Sequence, residues 1–158
     1  MSNQRMERRA GDNPYLHKDF HKALNWALIY LEERWGETAV REYLHDFAVK
    51  YYAPLAQALS RDGLDALHRH FAAVYAAEGG DVTIERQADP DSLTLLVRIC
   101  PAVAHIRQAG DAVSPLFRLT SEVVNAAICQ DTPYRAELTG YDPATGACVQ
   151  LFTRRRQP

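Results

Sequence analysis

Apolar side chains recur at three- and four-residue steps through the first 80 residues, which is the period of an amphipathic helix. The stripes cover residues 14–35, 40–51 and 63–77. Asn13 and Pro14 favour the start of the first helix. Asn caps free backbone N–H groups, and the N–H that Pro lacks would have no partner in the first turn. We expect Gly36 to end the first helix and Pro54 to break the second near residues 51–53.

After Gly80 the period changes to two. Apolar and polar side chains alternate over residues 82–85 and 93–100, as in half-buried strands. The turn-forming run Asp-Pro-Asp-Ser at 89–92 predicts that these strands pair as a hairpin. A further helix and a second hairpin are predicted over residues 115–130, 134–141 and 147–153. The second hairpin turn ends at Gly146, which we expect in the left-handed conformation.

This order predicts an α+β fold, in which N-terminal helices are followed by β-β-α-β-β and an antiparallel sheet is covered by helices. A chain of 158 residues has the usual size of one domain, and it buries most of its apolar surface without disulfides or metals. We expect one domain over residues 13–153, between an N-terminal tail (1–12) and a C-terminal tail (154–158).

The composition is that of an ordinary globular protein, with 47% hydrophobic and 24% charged residues and a net charge of −2. This balance gives no reason to expect nucleic-acid binding, and we interpret the Arg154–Arg156 cluster as a solvated tail. No window approaches the roughly 20 apolar residues of a membrane span. The polar N-terminus is unlike a secretory signal, so we expect a cytoplasmic protein with no membrane contact.

Glu78 lies on the same helical face as Tyr75, near the end of the third predicted helix. The acid either turns outward into the Gly79-Gly80 turn or lies in a pocket beneath the helix. A buried carboxylate needs partners or a raised pKa. In a pocket, Glu78 would hold a cationic group such as an amidinium.

Cys100 ends a predicted strand, and Pro101 stops further pairing, so its side chain could face a cleft. A thiol is a useful nucleophile only where a base or a positive charge lowers its pKa. His105, in the connection to the next helix, and Arg98, on the same strand face, are the candidate neighbours. The alternative is a small buried hydrophobic residue.

The other cysteines and the histidines carry weaker signals. Cys148 shares a strand face with Gln150, and Cys129 falls off the apolar stripe of its helix. Three cysteines without zinc-type spacing are expected to be free thiols. His17 and His21 have the spacing of a shared metal site, but no further ligand motif accompanies them, so we expect packing roles and no metal. His68 is predicted on the core face of its helix, as a hydrogen-bonded core histidine, and His70 off that face.

A set of short motifs resembles the L-2-amino-thiazoline-4-carboxylic acid hydrolase-like family over residues 13–153. The motifs are Asn13-Pro14-Tyr15, Glu78-Gly79, Cys100-Pro101-Ala102-Val103, Val124-Asn125-Ala126-Ala127-Ile128-Cys129 and Tyr141-Asp142-x-x-Thr145-Gly146-x-Cys148-x-Gln150-x-Phe152. The resemblance implies a small cytosolic bacterial protein that opens a thiazoline ring.

Hydrolysis at an amidine-like ring carbon needs a nucleophile, which is a thiolate or an activated water, a proton donor for the leaving sulfur or nitrogen, and a carboxylate to hold the amidinium. The resemblance implies Cys100 or Cys148 as nucleophile and His105 as proton donor. It implies Glu78 and Arg98 as substrate-binding residues, with Arg98 on the substrate carboxylate. We also expect Tyr75, on the helical face of Glu78, to bind the substrate. No cofactor is identified.

One site departs from the family pattern. Where members place a Cys and, two residues on, a His after the position of Phe117, this chain has Arg118 and Thr120. If those positions belong to the site, the protein has lost the reaction or changed its substrate. Arg118 also lies off the apolar stripe of its helix, which is typical of a solvated side chain.

Two other classes of protein remain open. Helices followed by paired hairpins also resemble vinyl-reductase-like ligand-binding domains, which predicts a non-catalytic small-molecule binding or sensor domain; likeness of fold is weak support for function. The third class is a structural homodimer. Trp26, Tyr30 and Trp35 lie off the core stripe of the first helix, where they could pack against a second copy.

Overall fold

The computed structural model describes residues 19–86 and 91–156, which form five helices and four strands. The elements are α1 (Asp19–Tyr51), α2 (Ala53–Asp62), α3 (Leu64–Glu78), β1 (Asp81–Arg86), β2 (Ser92–Ile99), α4 (Pro101–Gln108), α5 (Leu119–Cys129), β3 (Tyr134–Thr139) and β4 (Cys148–Arg154). The predicted α+β class is confirmed. The predicted N-terminal tail, the helix start at Asn13 and the turn at 89–90 lie outside the described residues.

Glycine and proline punctuate the helices as predicted. Gly36 interrupts α1 with φ 79° and ψ −177°, a conformation that favours glycine, so the two predicted stripes are separated there. The predicted break near residues 51–53 is also confirmed, because α1 ends at Tyr51 and α2 begins at Ala53 with Pro54 in its first turn. Pro54 therefore starts a helix that the sequence did not predict.

α4 corrects the prediction that residues 101–114 are a connection. Pro101 occupies the first turn of this helix, where its missing N–H costs nothing. The same proline therefore ends a strand and begins a helix. The next helix starts later than predicted, at Leu119, because residues 115–118 form turns.

The sheet has the order β1-β2-β4-β3, and all neighbouring strands are antiparallel. Both predicted hairpins are confirmed, and they join through β2 and β4, where Val97 pairs with Cys148 and Leu93 with Phe152. The face that carries these four residues is buried. The sequence did not decide which face of this sheet is buried. In the structure it is the face that carries Cys148, Gln150 and Phe152.

The helices cover this buried face. α5 packs against β3 on one side and α1 on the other, and α3 packs against β1 and β2. Because α5 is covered on two sides, Cys129 is fully buried, which corrects its predicted position off the apolar stripe. Burial raises the pKa of Cys129 to about 12. None of the helices in the described ranges has the length and apolar character needed to cross a bilayer.

The C-terminal arginines are only partly a tail. Arg154 is the last residue of β4, and its Nε donates to Asp91 Oδ1 at 3.1 Å. Arg155 Nε donates to Tyr134 O at 2.8 Å, and its Nη2 donates to Cys129 O at 3.2 Å. Arg155 thereby satisfies a carbonyl at the end of α5.

Candidate functional site

A cavity of about 410 Å³ lies between α1, α3, α5 and the sheet. Its wall is mainly aromatic and aliphatic. Leu44, Phe47, Tyr52, Phe71, Val124 and Ile128 all contribute to it. A volume of this size and an apolar lining with a few polar groups are typical of small-molecule sites.

One end of the cavity is aromatic. The ring of Phe47 lies 5.2 Å from that of Tyr51 in a stacked arrangement, and Tyr52 meets the edge of His70 at 5.8 Å. Phe71 lies 5.3 Å from His70. Burial lowers the pKa of His70, so this imidazole is held neutral. We call Phe47, Tyr52, His70 and Phe71 the aromatic end.

His70 corrects the sequence prediction, which put His68 on the core face and His70 off it. His70 lies in the cavity wall, whereas His68 is half-buried outside that wall. α3 packs against α2 as well as against the sheet. Its buried surface is therefore wider than the single stripe on which the prediction was based.

The other end of the cavity is polar. His21 Nε2 lies 3.1 Å from Glu78 Oε2, and the Glu78 side chain is only 7% exposed. Of the two alternatives for Glu78, the structure therefore places it in the pocket rather than in the solvent. A carboxylate in the last turn of a helix is unfavourable because the C-terminal end of the helix dipole is negative. The hydrogen bond with His21 offsets this cost. His17 lies outside the described residues.

Cys100 lies beside this pair, at the N-cap of α4, and lines the cavity. Burial raises the pKa of its thiol, and the N–H groups of Val103 and Ala102 oppose the rise only in part. The nearby charge of Glu78 raises the pKa further. The thiol is therefore held in its protonated form rather than activated as a nucleophile.

Arg98 does not reach the cavity. A register shift between β1 and β2 leaves both Arg98 and Ile99 exposed, so the alternation that assigned Arg98 and Cys100 to one face is broken. Arg98 Nη2 instead lies 2.6 Å from Asp81 Oδ1 on the open face of the sheet. It also donates to Thr83 Oγ1 at 2.8 Å.

The motif in the turn between β3 and β4 contacts Cys100 and holds its backbone in place. Cys100 N donates to Thr145 O at 3.0 Å, and Gly146 has the predicted left-handed conformation, with φ 70°. A Cβ at Gly146 would lie 2.4 Å from Cys100 Cβ, so a side chain does not fit there. Asp142 Oδ2 accepts from Thr145 Oγ1 at 2.8 Å and closes the turn. These motif residues fix the backbone around Cys100.

Two buried amides face the cavity between its ends, and the sequence reasoning did not select them as site residues. Asn125 Nδ2 donates to Gln150 Oε1 at 2.9 Å, and Gln150 Nε2 contacts Cys148 Sγ at 3.6 Å. Cys148 is buried but does not line the cavity, and burial raises its pKa. An Asn within the apolar run of α5 was the available signal.

Tyr75 also lines the cavity. Burial raises the pKa of its hydroxyl, with smaller contributions from Cys100 and Cys148, and a hydrogen bond with Gln150 opposes the rise. Tyr75 thus connects the polar end to the amide pair. This position is the one that the sequence predicted, beside Glu78.

His105 faces a different space from Cys100. It lines a second cavity of about 240 Å³, whose wall also includes His21 and Glu78. His105 and Cys100 are separated because residues five apart on α4 point to different sides of the helix. Of the six predicted site residues, Glu78, Tyr75 and Cys100 share the larger cavity.

The two positions that depart from the family pattern have different environments. Thr120 lines the larger cavity, where its Oγ1 donates to Phe117 O at 2.7 Å. Arg118 turns away and pairs with Glu122 and Glu37. Of these two residues, only Thr120 is therefore part of the cavity wall.

In the described ranges, no group of three or more His, Cys, Asp or Glu side chains is arranged to hold a metal ion. Comparison with known proteins finds no family model, no characterised protein and no solved structure that this chain matches. The fold and the site define a class, an α+β protein with an apolar cavity between its helices and its sheet. Its function is inferred from that cavity.

Proposed function

We propose that this protein binds a small, mainly apolar molecule in the cavity between α1, α3, α5 and the sheet. The observation that carries the proposal is a half-open cavity of about 410 Å³ with aromatic and aliphatic walls and polar groups at a few points. Affinity for such a ligand comes mainly from burial of its apolar surface, and the polar groups set its orientation.

The charges around the cavity favour a neutral or cationic ligand. No Lys or Arg among the described residues lines it, and Arg98 is held by Asp81 on the other face of the sheet. A ligand carboxylate would therefore lose its hydration without gaining a permanent positive partner. The buried carboxylate of Glu78 has the opposite preference.

The state of the thiols favours binding over thiol catalysis. Burial raises the pKa of both Cys100 and Cys148, and a thiol nucleophile needs the reverse shift. The proposed class is therefore a non-catalytic small-molecule binding or sensor domain, the one that the sequence related to vinyl-reductase-like domains.

The test is ligand-dependent thermal stabilisation with n-octanol as an apolar probe. A ligand at one hundred times its Kd adds about 2.7 kcal/mol to the stability of the folded state. Val74→Trp fills the cavity from α3, and Ala76→Trp places the same side chain on the exposed side of that helix. We expect octanol to raise the Tm of the wild type and of Ala76→Trp but not of Val74→Trp. Equal rises in all three proteins, or no rise in the wild type, would reject binding in this cavity.

A second function, hydrolysis of a small cyclic amidine carboxylate such as 2-amino-thiazoline-4-carboxylate, is favoured by the His21–Glu78 pair. An imidazole held by a carboxylate at 3.1 Å has the arrangement of a general base. In this proposal, His21 takes a proton from water as the oxygen bonds to the amidine carbon. The proton that remains on the new oxygen passes to the amidine nitrogen as the carbonyl forms. The ring bond to sulfur or nitrogen breaks, and His21 returns its proton to the leaving atom.

Turnover of that substrate separates the two functions. If the pair acts as the base, His21→Asn lowers kcat by about 10²-fold or more, while Cys100→Ser keeps most of the activity. The reverse result would assign the reaction to the thiol. Absence of turnover in the wild type would remove hydrolysis and leave the binding proposal intact.

Location and oligomeric state remain proposals. We propose a cytoplasmic protein, since all three cysteines are free and a reducing compartment keeps them so. The homodimer stays a prediction. Trp26, Tyr30 and Trp35 are exposed on α1, as expected off the core stripe, and sedimentation equilibrium measures whether they associate.

A further inference from the structure

The second cavity lies on the other side of the His21–Glu78 pair from the apolar one. It has a volume of about 240 Å³ and is bounded by the end of α3, the two glycines after it, and α4. The two cavities share His21, Glu78 and Pro101 in their walls. The pair therefore stands between an apolar space and a smaller, polar one.

His105 has a buried atom without a partner in this region. Its Nε2 is inaccessible to solvent and makes no hydrogen bond within the described residues. His105 also lines the polar cavity. A buried ring nitrogen without a partner is unfavourable, and a small rotation of the imidazole towards the polar cavity would let a bound group satisfy it.

The Glu78 carboxylate also has fewer partners than a buried charged group needs. Within the described ranges its only hydrogen-bond partner is His21, which contacts Oε2 and leaves Oε1 available. No Lys or Arg in those ranges lines either cavity. A buried carboxylate at the end of a helix, where the dipole is negative, is stabilised by a positive group.

We propose that the polar cavity receives the head group of the ligand and that this head group is a primary ammonium. One N–H would donate to Glu78 Oε1 and a second to His105 Nε2, and the apolar part of the molecule would extend past Pro101 into the larger cavity. The ligand class is an amphiphilic primary amine. This inference rests on the proposed binding function.

An ammonium fits better than the other simple head groups. A hydroxyl satisfies one acceptor and leaves the charge of Glu78 unchanged. A carboxylate adds a second negative charge beside Glu78, where the described part of the chain supplies no Lys or Arg. Of these three head groups, only the ammonium answers both His105 and Glu78.

Three probes of equal chain length, n-octylamine, n-octanol and n-octanoate, test the head group by isothermal titration calorimetry at pH 8. An alkylammonium keeps its charge at this pH, as Lys does. We expect the wild type to bind octylamine about tenfold or more tightly than octanol, and octanoate more weakly than octanol.

Two variants test the assigned contacts. Glu78→Gln keeps the shape of the side chain and is expected to remove most of the preference for octylamine. His105→Ala is expected to weaken octylamine binding several-fold and to leave octanol binding unchanged. The matched control is His45→Ala, an exposed histidine on α1 that is expected to change neither Kd. If His105→Ala does not fold, Glu78→Gln still decides the result.

The outcomes separate the head-group inference from the binding function. Tight octanol binding with no preference for octylamine in the wild type would overturn the ammonium head group and leave the apolar cavity as a binding site. An unchanged preference in Glu78→Gln would also overturn it. Failure of both octanol and octylamine to bind would reject the proposed function itself.

Discussion

The two ends of the larger cavity each hold a histidine, and the comparison shows how the surroundings decide the use of one residue type. At the aromatic end His70 packs between Tyr52 and Phe71, and burial lowers its pKa. At the polar end His21 contacts a carboxylate. His70 therefore acts as a neutral aromatic ring, whereas His21 acts as a hydrogen-bonding group that a polar ligand or water can address.

The largest predicted effect tests the buried face of the sheet. Phe152 is fully buried and lies 5.5 Å from the Phe71 ring, so Phe152→Ala is expected to lower the free energy of unfolding by about 3–5 kcal/mol. Leu151→Ala, on the other face of β4, is expected to cost clearly less. Urea unfolding of both variants measures the difference. Equal losses would mean that the buried face of the sheet is misassigned.

The next effect tests the support of the polar end. Gly146→Ala introduces a Cβ that meets Cys100 Cβ at 2.4 Å, in addition to the cost of a left-handed conformation, and we expect a loss of about 2–4 kcal/mol. Gly140 has a similar φ of 63° and open space around it, so Gly140→Ala isolates the conformational cost of about 1–2 kcal/mol. Thermal unfolding compares them. A similar loss in both variants would show that the turn does not press on Cys100.

The amide pair between the ends gives a smaller effect. Asn125→Leu leaves Gln150 without its amide donor, and we expect a loss of about 1–3 kcal/mol. Gln150→Leu is expected to cost a similar amount, and the double variant less than the sum of the two. A double-mutant cycle by urea unfolding measures this coupling. Additive losses would mean that the two side chains do not stabilise each other.

The smallest effect tests the state of His70 by pH. Its folded pKa lies below the unfolded value near 6.5, so the unfolded chain binds more protons as the pH falls. Stability is therefore complete above about pH 6.5 and declines from there towards the folded pKa. His70→Phe keeps an aromatic ring and is expected to flatten this part of the Tm profile. An unchanged profile in His70→Phe would assign the pH dependence to other groups.

Local patterns were sufficient for much of the fold. Both hairpins, the interruption at Gly36 and the left-handed Gly146 were predicted because each depends on neighbouring residues. Pro101 was misinterpreted because a proline that ends a strand can equally begin a helix. With α4 unrecognised, the direction of His105 could not be predicted.

The candidate site was less predictable because it depends on contacts between distant residues. His21 and Glu78 are 57 positions apart, and no local pattern pairs them. A register shift between β1 and β2, which alternation cannot reveal, puts Arg98 and Cys100 in different environments. Cys129 and His70 were misplaced because α5 and α3 are covered on more than one side, so a single apolar stripe underestimates their buried surface.

The most direct test of the account is a crystal structure of the wild-type protein grown with n-octylamine. We expect the alkyl chain against Phe47 and Phe71 in the larger cavity and the nitrogen within hydrogen-bonding distance of Glu78. Octylamine bound only outside this cavity, with the space between the helices and the sheet filled by protein side chains, would contradict the claim that this space is a ligand site.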